Sequence, residues 1–109
     1  AEKRNAKAEL NIMIGYPFLV NNEEVTKTVS SAAEELCGKE NIFDLPLRMT
    51  AEDFSFISQA VPSCFFRLGT GNKKEGITAG VHNAHFNIDE KAIETGAGLM
   101  AQLATALLA

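Results

Sequence analysis

The run CFFRLG, residues 64 to 69, decides the predicted fold class. Only Arg67 interrupts its apolar character, a pattern typical of a strand that is covered on both faces of a sheet. A polar, glycine-rich stretch follows at residues 70 to 80 (TGNKKEGITAG) and predicts a long, mobile loop. The run therefore predicts a buried strand that leads directly into an exposed loop.

Two further strand candidates precede this run. Residues 8 to 17 (AELNIMIGYP) alternate apolar and polar side chains and stop at a glycine and a proline, which predicts a half-buried strand with Leu10, Ile12 and Ile14 on one side. Residues 41 to 49 (NIFDLPLRM) are a poorer candidate, because Pro46 lacks the donor that a central ladder position needs.

Helical patterns alternate with these candidates. Residues 1 to 8 are typical of the last turns of a helix. Asn21 and Asn22 can cap a helix that Gly38 ends, and its apolar positions are Val25, Val29, Ala32 and Leu36. Residues 50 to 53 (TAED) resemble a capping box at the start of a short helix through about Ala60. Asp89 can cap a final helix, whose predicted apolar stripe is Ile93, Ala97, Met100, Leu103 or Ala104, and Leu107.

Alternating strands and helices without an Asn-Gly hairpin predict an α/β fold with a largely parallel sheet.

Composition limits the functions that this chain can have. Its 109 residues suit one domain, and its 46% hydrophobic and 22% charged residues are typical of a soluble globular protein. The net charge of −4, with scattered Lys and Arg, argues against a nucleic-acid partner. No apolar run approaches the roughly 20 residues that cross a bilayer, so we expect no membrane partner and a cytoplasmic location, with a secreted parent as the alternative. Cys37 and Cys64 form no CxxC motif, and we expect them to be reduced core thiols.

Both histidines of the chain lie in GVHNAHFNIDE, residues 80 to 90. With Asp89 or Glu90 they could approach the three ligands of a catalytic zinc site, but the short spacing between His82 and His85 argues against a self-contained site. An ordinary loop histidine is the simplest alternative. An intermediate possibility is a single ligand delivered after a buried strand, where open α/β sheets place their ligands, with the other ligands supplied by a larger protein.

Glu52 and Asp53 also permit two interpretations. Acidic residues in the first turn of a helix interact favourably with its dipole and with unpaired amides, which needs no functional role. Alternatively, one of these carboxylates lies close to an active site and contacts the substrate or supports a ligand. Serine nucleophiles have no support, because none of the serines lies in a GxSxG context.

Four motifs taken together resemble a known family. They are Tyr16-Pro17 and Asn21 before a helix, Met49 to Phe54 (MTAEDF), Val61-Pro62-Ser63 before Phe65 to Gly69 (FFRLG), and His82 to Phe86 (HNAHF) with Asp89-Glu90. In this order and spacing they resemble the C-terminal part of the metal-dependent amidohydrolases. That group contains aminoacylases, hippurate hydrolases and auxin-conjugate hydrolases, and it is related to zinc carboxypeptidases.

The resemblance implies a catalytic α/β domain with an inserted lid domain, which is of the dimerisation type. Residues 1 to 16 would be the end of the lid, and residues 17 to 109 the C-terminal part of the catalytic domain. It also implies hydrolysis of an N-acyl amino acid or peptide by a water molecule that two divalent ions activate, with zinc as the expected metal. The implied partners are this small-molecule substrate, the remaining N-terminal part of the enzyme and a second copy in a homodimer.

By the same resemblance, His82 is a metal ligand, whereas His85 falls at a variable position. Glu52 and Asp53 match a Glu-Asp-Phe motif beside the active site, and Asn83 would orient His82. The family's remaining ligands and its catalytic glutamate have no counterpart here, so we assign no catalytic residue and expect a fragment that is inactive by itself. The alternative is a non-catalytic α/β binding or interaction module.

Overall fold

A computed structural model describes residues 7 to 108, and the elements in this part of the chain are helical. Helix α1 spans Glu23–Cys37, helix α2 spans Phe54–Ala60 and helix α3 spans Lys91–Leu108. A single 3-10 turn, Lys39–Asn41, follows α1. Irregular segments connect these elements. The predicted helical turns at residues 1 to 8 fall mostly outside the described residues.

Helix α1 begins and ends where its capping residues predict. The Asn22 side chain accepts a hydrogen bond from the amide of Val25 at 3.1 Å, and this satisfies one of the unpaired amides of the first turn. Gly38 follows the last turn with φ of 86°, in the left-handed region that favours glycine, and its amide bonds to the carbonyl of Glu34. The predicted helix with its two caps is therefore confirmed.

Helix α2 is shorter at its start than the capping-box pattern predicts. It begins at Phe54, and Asp53 takes the N-cap position without a side-chain hydrogen bond. Instead, the Glu52 carboxylate accepts a bond of 3.3 Å from the amide of Phe54. Thr50 is therefore not the cap, because Glu52 reaches the first free amide from a position nearer to the helix. The predicted end near Ala60 is confirmed.

The core of the described residues lies between α1 and α3. Its buried apolar side chains are Val29, Ala32, Ala33, Leu99 and Leu103. The stripe predicted for α3 is wrong except for Leu103, since Ile93, Met100 and Leu107 are each more than half exposed. Helix α3 is apolar on two sides, and α1 covers the side that carries Leu99. Periodicity alone could not distinguish the two sides.

The predicted α/β fold is wrong for the part of the chain that the structure describes. None of the three strand candidates forms a strand, and the only bridge among the described residues joins Asn72 to Ile77. The physical reason is that a strand is stable only beside a partner that takes its backbone donors and acceptors. The apolar pattern at residues 64 to 69 suits a strand, but the pattern does not provide a neighbouring strand for its backbone to pair with. The residues that were expected to be half-buried, such as Ile14 at 96% exposure, face solvent.

The described chain is open in shape. Its radius of gyration is 20.0 Å, against about 13 Å for a compact domain of 100 residues. Its accessible surface is 9697 Å², whereas a compact monomer of this size would expose about 5,900 Å². Much of the excess is apolar and comes from residues 10 to 20, residues 43 to 49 and the outer side of α3. Within residues 7 to 108, no helix combines the length and the apolar character that a membrane crossing requires.

Candidate functional site

The loop that carries His82 starts with a small, closed turn. The backbones of Asn72 and Ile77 exchange two hydrogen bonds, of 2.9 and 2.8 Å. Inside the turn, the Asn72 carboxamide oxygen accepts bonds from the amides of Lys74 and Glu75, and Gly76 has the positive φ of 74° that a tight turn needs. The sequence predicted only a long, mobile loop here, and the turn supplies it with defined internal contacts.

Asp89 joins this turn to the start of α3. One oxygen of the Asp89 carboxylate accepts a bond of 2.6 Å from the Asn72 side chain, and the other accepts a bond of 3.1 Å from the amide of Lys91. The Asp89 amide also donates to the carbonyl of Thr70 at 2.8 Å. The hydrogen bond from Asn72, followed by that from Lys91, lowers the pKa of the Asp89 carboxyl below its ordinary value of 3.8. The predicted capping role of Asp89 is confirmed by its contact with Lys91.

His82 lies between this turn and α3, in a conformation that is unusual for its residue type. Its φ is 63°, and it is the only non-glycine residue with a positive φ among the described residues. Its side chain is exposed. Backbone in this region costs a non-glycine residue about 1 to 2 kcal/mol, so neighbouring contacts must hold it. An outlier of this kind favours a functional role for His82, and its role as a metal ligand stays a prediction.

Asn83 contributes to the turn after His82. Its carboxamide oxygen accepts a bond of 2.9 Å from the amide of His85, and its carbonyl accepts one of 3.0 Å from the amide of Phe86. The polar atoms of Asn83 thus shape the backbone on the far side of His82, and they make no hydrogen bond to the His82 ring among the described contacts. The predicted orienting role for Asn83 remains a prediction about the complete site.

Glu52 borders an open cleft of about 710 Å³. The walls are mostly apolar, and two basic residues, Arg48 and Arg67, are also among those that line them. Glu52 is half-buried, and its carboxylate bonds to the start of α2, as described above. Asp53 is exposed and, like His82, does not line the cleft in the described part of the chain. The structure therefore brings Glu52 to a cavity but does not bring the predicted site residues together.

The donor set fits one coordination position and not a complete metal cage. Between residues 7 and 108, no group of three His, Cys, Asp or Glu side chains converges to hold an ion. The exposed imidazole of His82 is chemically suited to serve as one ligand. Cys37 and Cys64 are both free and half-buried, at positions that lie outside the His82 loop. No reaction step can be derived from the described residues alone.

Sequence reasoning missed Asn72, and it named Asn21 only as a cap candidate and a motif residue, without its contact with Phe65. Asn72 closes the turn before His82, and Asn21 bonds to both the amide and the carbonyl of Phe65, at 2.8 and 2.9 Å. A signal for Asn72 existed, because asparagine followed by polar residues and glycine is typical of a turn built on a side-chain oxygen. For Asn21 no local signal exists, since its partner is 44 positions away.

Comparison with known proteins places the whole set of motifs in one family. The model of peptidase family M20/M25/M40 matches residues 6 to 106. Among curated proteins, IAA-amino acid hydrolase ILR1-like 4 of Arabidopsis thaliana is 32% identical over 93 residues, which are 85% of this chain and 21% of that protein. IAA-amino acid hydrolase ILR1-like 6 of the same plant is 33% identical over 82% of this chain and 19% of its own length.

An uncharacterized hydrolase of Staphylococcus epidermidis is 37% identical over 94 residues, or 82% of this chain and 23% of that protein. This chain thus spans about a fifth of the length of the curated relatives that it matches. No solved structure matches it. Because the family model covers nearly every residue from the Tyr16-Pro17 motif to the end of α3, the chain belongs to peptidase family M20/M25/M40.

Proposed function

We propose that the full-length protein hydrolyses the amide bond of an N-acyl amino acid or peptide, and that this chain contributes His82 as one metal ligand. The observation that carries the proposal is the family match across residues 6 to 106, which includes the His82 loop. The left-handed backbone of His82 supports it independently, because strained residues cluster at functional sites. The two plant relatives are named for hydrolysis of an amino acid conjugate, which agrees with this substrate class.

The proposed cofactor is a pair of divalent ions, with zinc as the first candidate. Bound divalent ions of this kind polarise a carbonyl group and lower the pKa of water. His82 would hold one coordination position. The rest of the enzyme would supply the other ligands and the general base, so we expect the 109-residue chain to have no hydrolase activity by itself.

The cleft beside Glu52 is the proposed contact region for substrate. Its apolar walls suit an acyl group, and the guanidinium groups of Arg48 and Arg67 suit the carboxylate of an amino acid. We retain Glu52 and Asp53 as candidate substrate-contacting or supporting residues. Glu52 is the stronger candidate, since it lines the cleft, while Asp53 is exposed and does not line it.

The test compares two histidine variants of the full-length protein. We expect His82→Ala to lower amide hydrolysis of N-acyl amino acids by at least about 100-fold, because changing even an outer neighbour of a metal ligand costs about 10- to 100-fold. His85→Ala is the matched control, because it removes an imidazole from the same loop three positions further on. The activity of His85→Ala should stay within about threefold of that of the unchanged protein. This loss is smaller than the loss expected on changing a residue that contacts a metal ligand. Equal losses in the two variants, or full activity in His82→Ala, would contradict the proposal.

A further inference from the structure

We propose that Asn72 and Asp89 form a positioning pair, which closes the loop that carries His82 and holds the His82 backbone in its left-handed conformation. The inference rests on the proposed function only for the role of His82 as a ligand. Its structural part concerns the closure of residues 72 to 89 and stands on contacts within the described chain.

The first step is the geometry of closure. Asn72 and Asp89 are 17 positions apart, yet the side-chain nitrogen of Asn72 lies 2.6 Å from a carboxylate oxygen of Asp89. The backbone amide of Asp89 adds a second connection, because it donates a hydrogen bond to the carbonyl of Thr70, two residues before Asn72. Both ends of the loop are therefore fixed to each other at the first turn of α3, which is itself packed on α1.

The second step is that the middle of the loop has little of its own to hold it. Residues 78 to 82 make no hydrogen bond among the described contacts, although His82 carries the cost of a positive φ. Tight turns flank this stretch, at residues 72 to 77 and at residues 83 to 86. A strained residue persists only where its surroundings fix it, so the closure at Asn72 and Asp89 is the contact that holds His82.

The third step is chemical specificity. The Asn72 side chain uses its oxygen inside the turn and its nitrogen toward Asp89, while the Asp89 carboxylate uses one oxygen for α3 and the other for Asn72. Asn72 must therefore accept inside the turn and donate to Asp89, whereas both contacts of the Asp89 carboxylate require an acceptor. An acid at position 72 could keep the turn but would repel Asp89, and an amide at position 89 could keep the helix cap but would offer Asn72 a second donor.

The test exchanges the two groups in the full-length protein. Asn72→Asp and Asp89→Asn are made singly and together, because the double variant restores one donor opposite one acceptor with the direction reversed. Amide hydrogen exchange is followed by mass spectrometry in peptides that cover residues 83 to 91, where the amides of His85, Phe86 and Asp89 donate hydrogen bonds. We expect roughly tenfold faster exchange in each single variant, as for the loss of a charge-assisted hydrogen bond, and recovery to within about threefold in the double variant. Lys73→Ala, an exposed position in the same turn, is the control and should leave exchange unchanged.

The affinity of the same proteins for Zn²⁺ alone is the second readout. Each single variant should weaken binding by about 10- to 100-fold, and the double variant should restore it. Additive damage in the double variant, unchanged exchange in the single variants, or altered exchange with unaltered Zn²⁺ affinity would each overturn the positioning pair. Failure of the proposed function is distinguishable, because it would appear as normal Zn²⁺ binding in His82→Ala, whatever the exchange data show.

Discussion

Asn21 satisfies the backbone of Phe65 in the way that a neighbouring strand would. Its side-chain oxygen accepts from the Phe65 amide and its nitrogen donates to the Phe65 carbonyl, so one carboxamide replaces two rungs of a ladder. The nitrogen also lies 3.5 Å from the sulfur of Cys64. A single residue thereby ties the segment before α1 to residues 64 and 65, where the sequence predicted a strand.

We therefore expect Asn21→Ala to release the backbone around Phe65. Amide exchange at Phe65 should become roughly tenfold faster, because a lost hydrogen bond of about 1.4 kcal/mol changes an equilibrium by that factor. Exchange in the full-length protein measures this directly. Asn41→Ala is the matched control, since it removes a carboxamide that bonds only to the local carbonyl of Cys37. An equal response at Phe65 in both variants would contradict the role of Asn21.

A second prediction concerns the carboxyl group of Asp89. Because its pKa is lowered below 3.8 in the folded state, its stabilising contribution is fully present above the unfolded value and is lost as the pH falls through the lowered pKa. The hydrogen bond from Asn72 is the largest cause of this lowering, so Asn72→Ala should move the pKa of Asp89 back toward 3.8. A titration of the Asp89 carboxyl carbon by NMR measures both values. A midpoint at or above 3.8 in the unchanged protein would contradict the contact.

Helices and strands differ in how far local sequence determines them. The ends of α1 followed from Asn22 and Gly38, because caps act within one turn of the residue that supplies them. Strand formation depends on partners far away in sequence, and the apolar run at residues 64 to 69 carried no information about such a partner. The buried side of α3 was also not predictable, since apolar residues occupy two of its sides and the packing of α1 selects one.

The packing of α3 predicts different outcomes for two of its glycines. A Cβ atom at Gly98 would lie 3.7 Å from Leu36, an ordinary contact, so Gly98→Ala should stabilise the protein by about 0.5 to 1 kcal/mol through helix propensity. A Cβ atom at Gly96 would lie only 2.9 Å from the end of the Leu68 side chain, which must move. Gly96→Ala should therefore stabilise less. Chemical unfolding of both variants checks the order, and a larger gain at Gly96 would contradict this packing.

Over the whole molecule, the described chain leaves more apolar surface in water than a stable monomer does. Side chains such as Leu10, Ile14 and Met49 are more than four-fifths exposed, and the outer side of α3 adds Met100 and Leu107. Large exposed apolar patches mark surfaces that contact another protein segment. We propose the remainder of the enzyme or a second copy as that contact.

The 109-residue chain prepared alone should therefore self-associate and bind a hydrophobic dye such as ANS. Size-exclusion chromatography with light scattering measures the association. In the full-length protein, dye binding per chain should be much weaker because the same surface is covered. An isolated chain that stays monomeric, does not bind the dye and has a radius of gyration near 13 Å would contradict the observed exposure.

The candidate site was predictable only in part from the sequence. Ordered motifs identified the family and selected His82 over His85, a choice that spacing and composition could not make. The closure of the loop that carries His82 was not predictable, because Asn72 and Asp89 lie 17 positions apart in the sequence. Between residues 7 and 108 no group of three candidate ligands converges, so the contribution of His82 to a metal site stays a prediction.

The central claim is that His82 binds a metal ion, and the bound metal per full-length chain tests it most directly. Elemental analysis after dialysis against metal-free buffer should show that His82→Ala loses at least one equivalent of the metal that the unchanged protein retains. His85→Ala should retain the full amount. Full retention in His82→Ala, or equal loss in both variants, would contradict the claim.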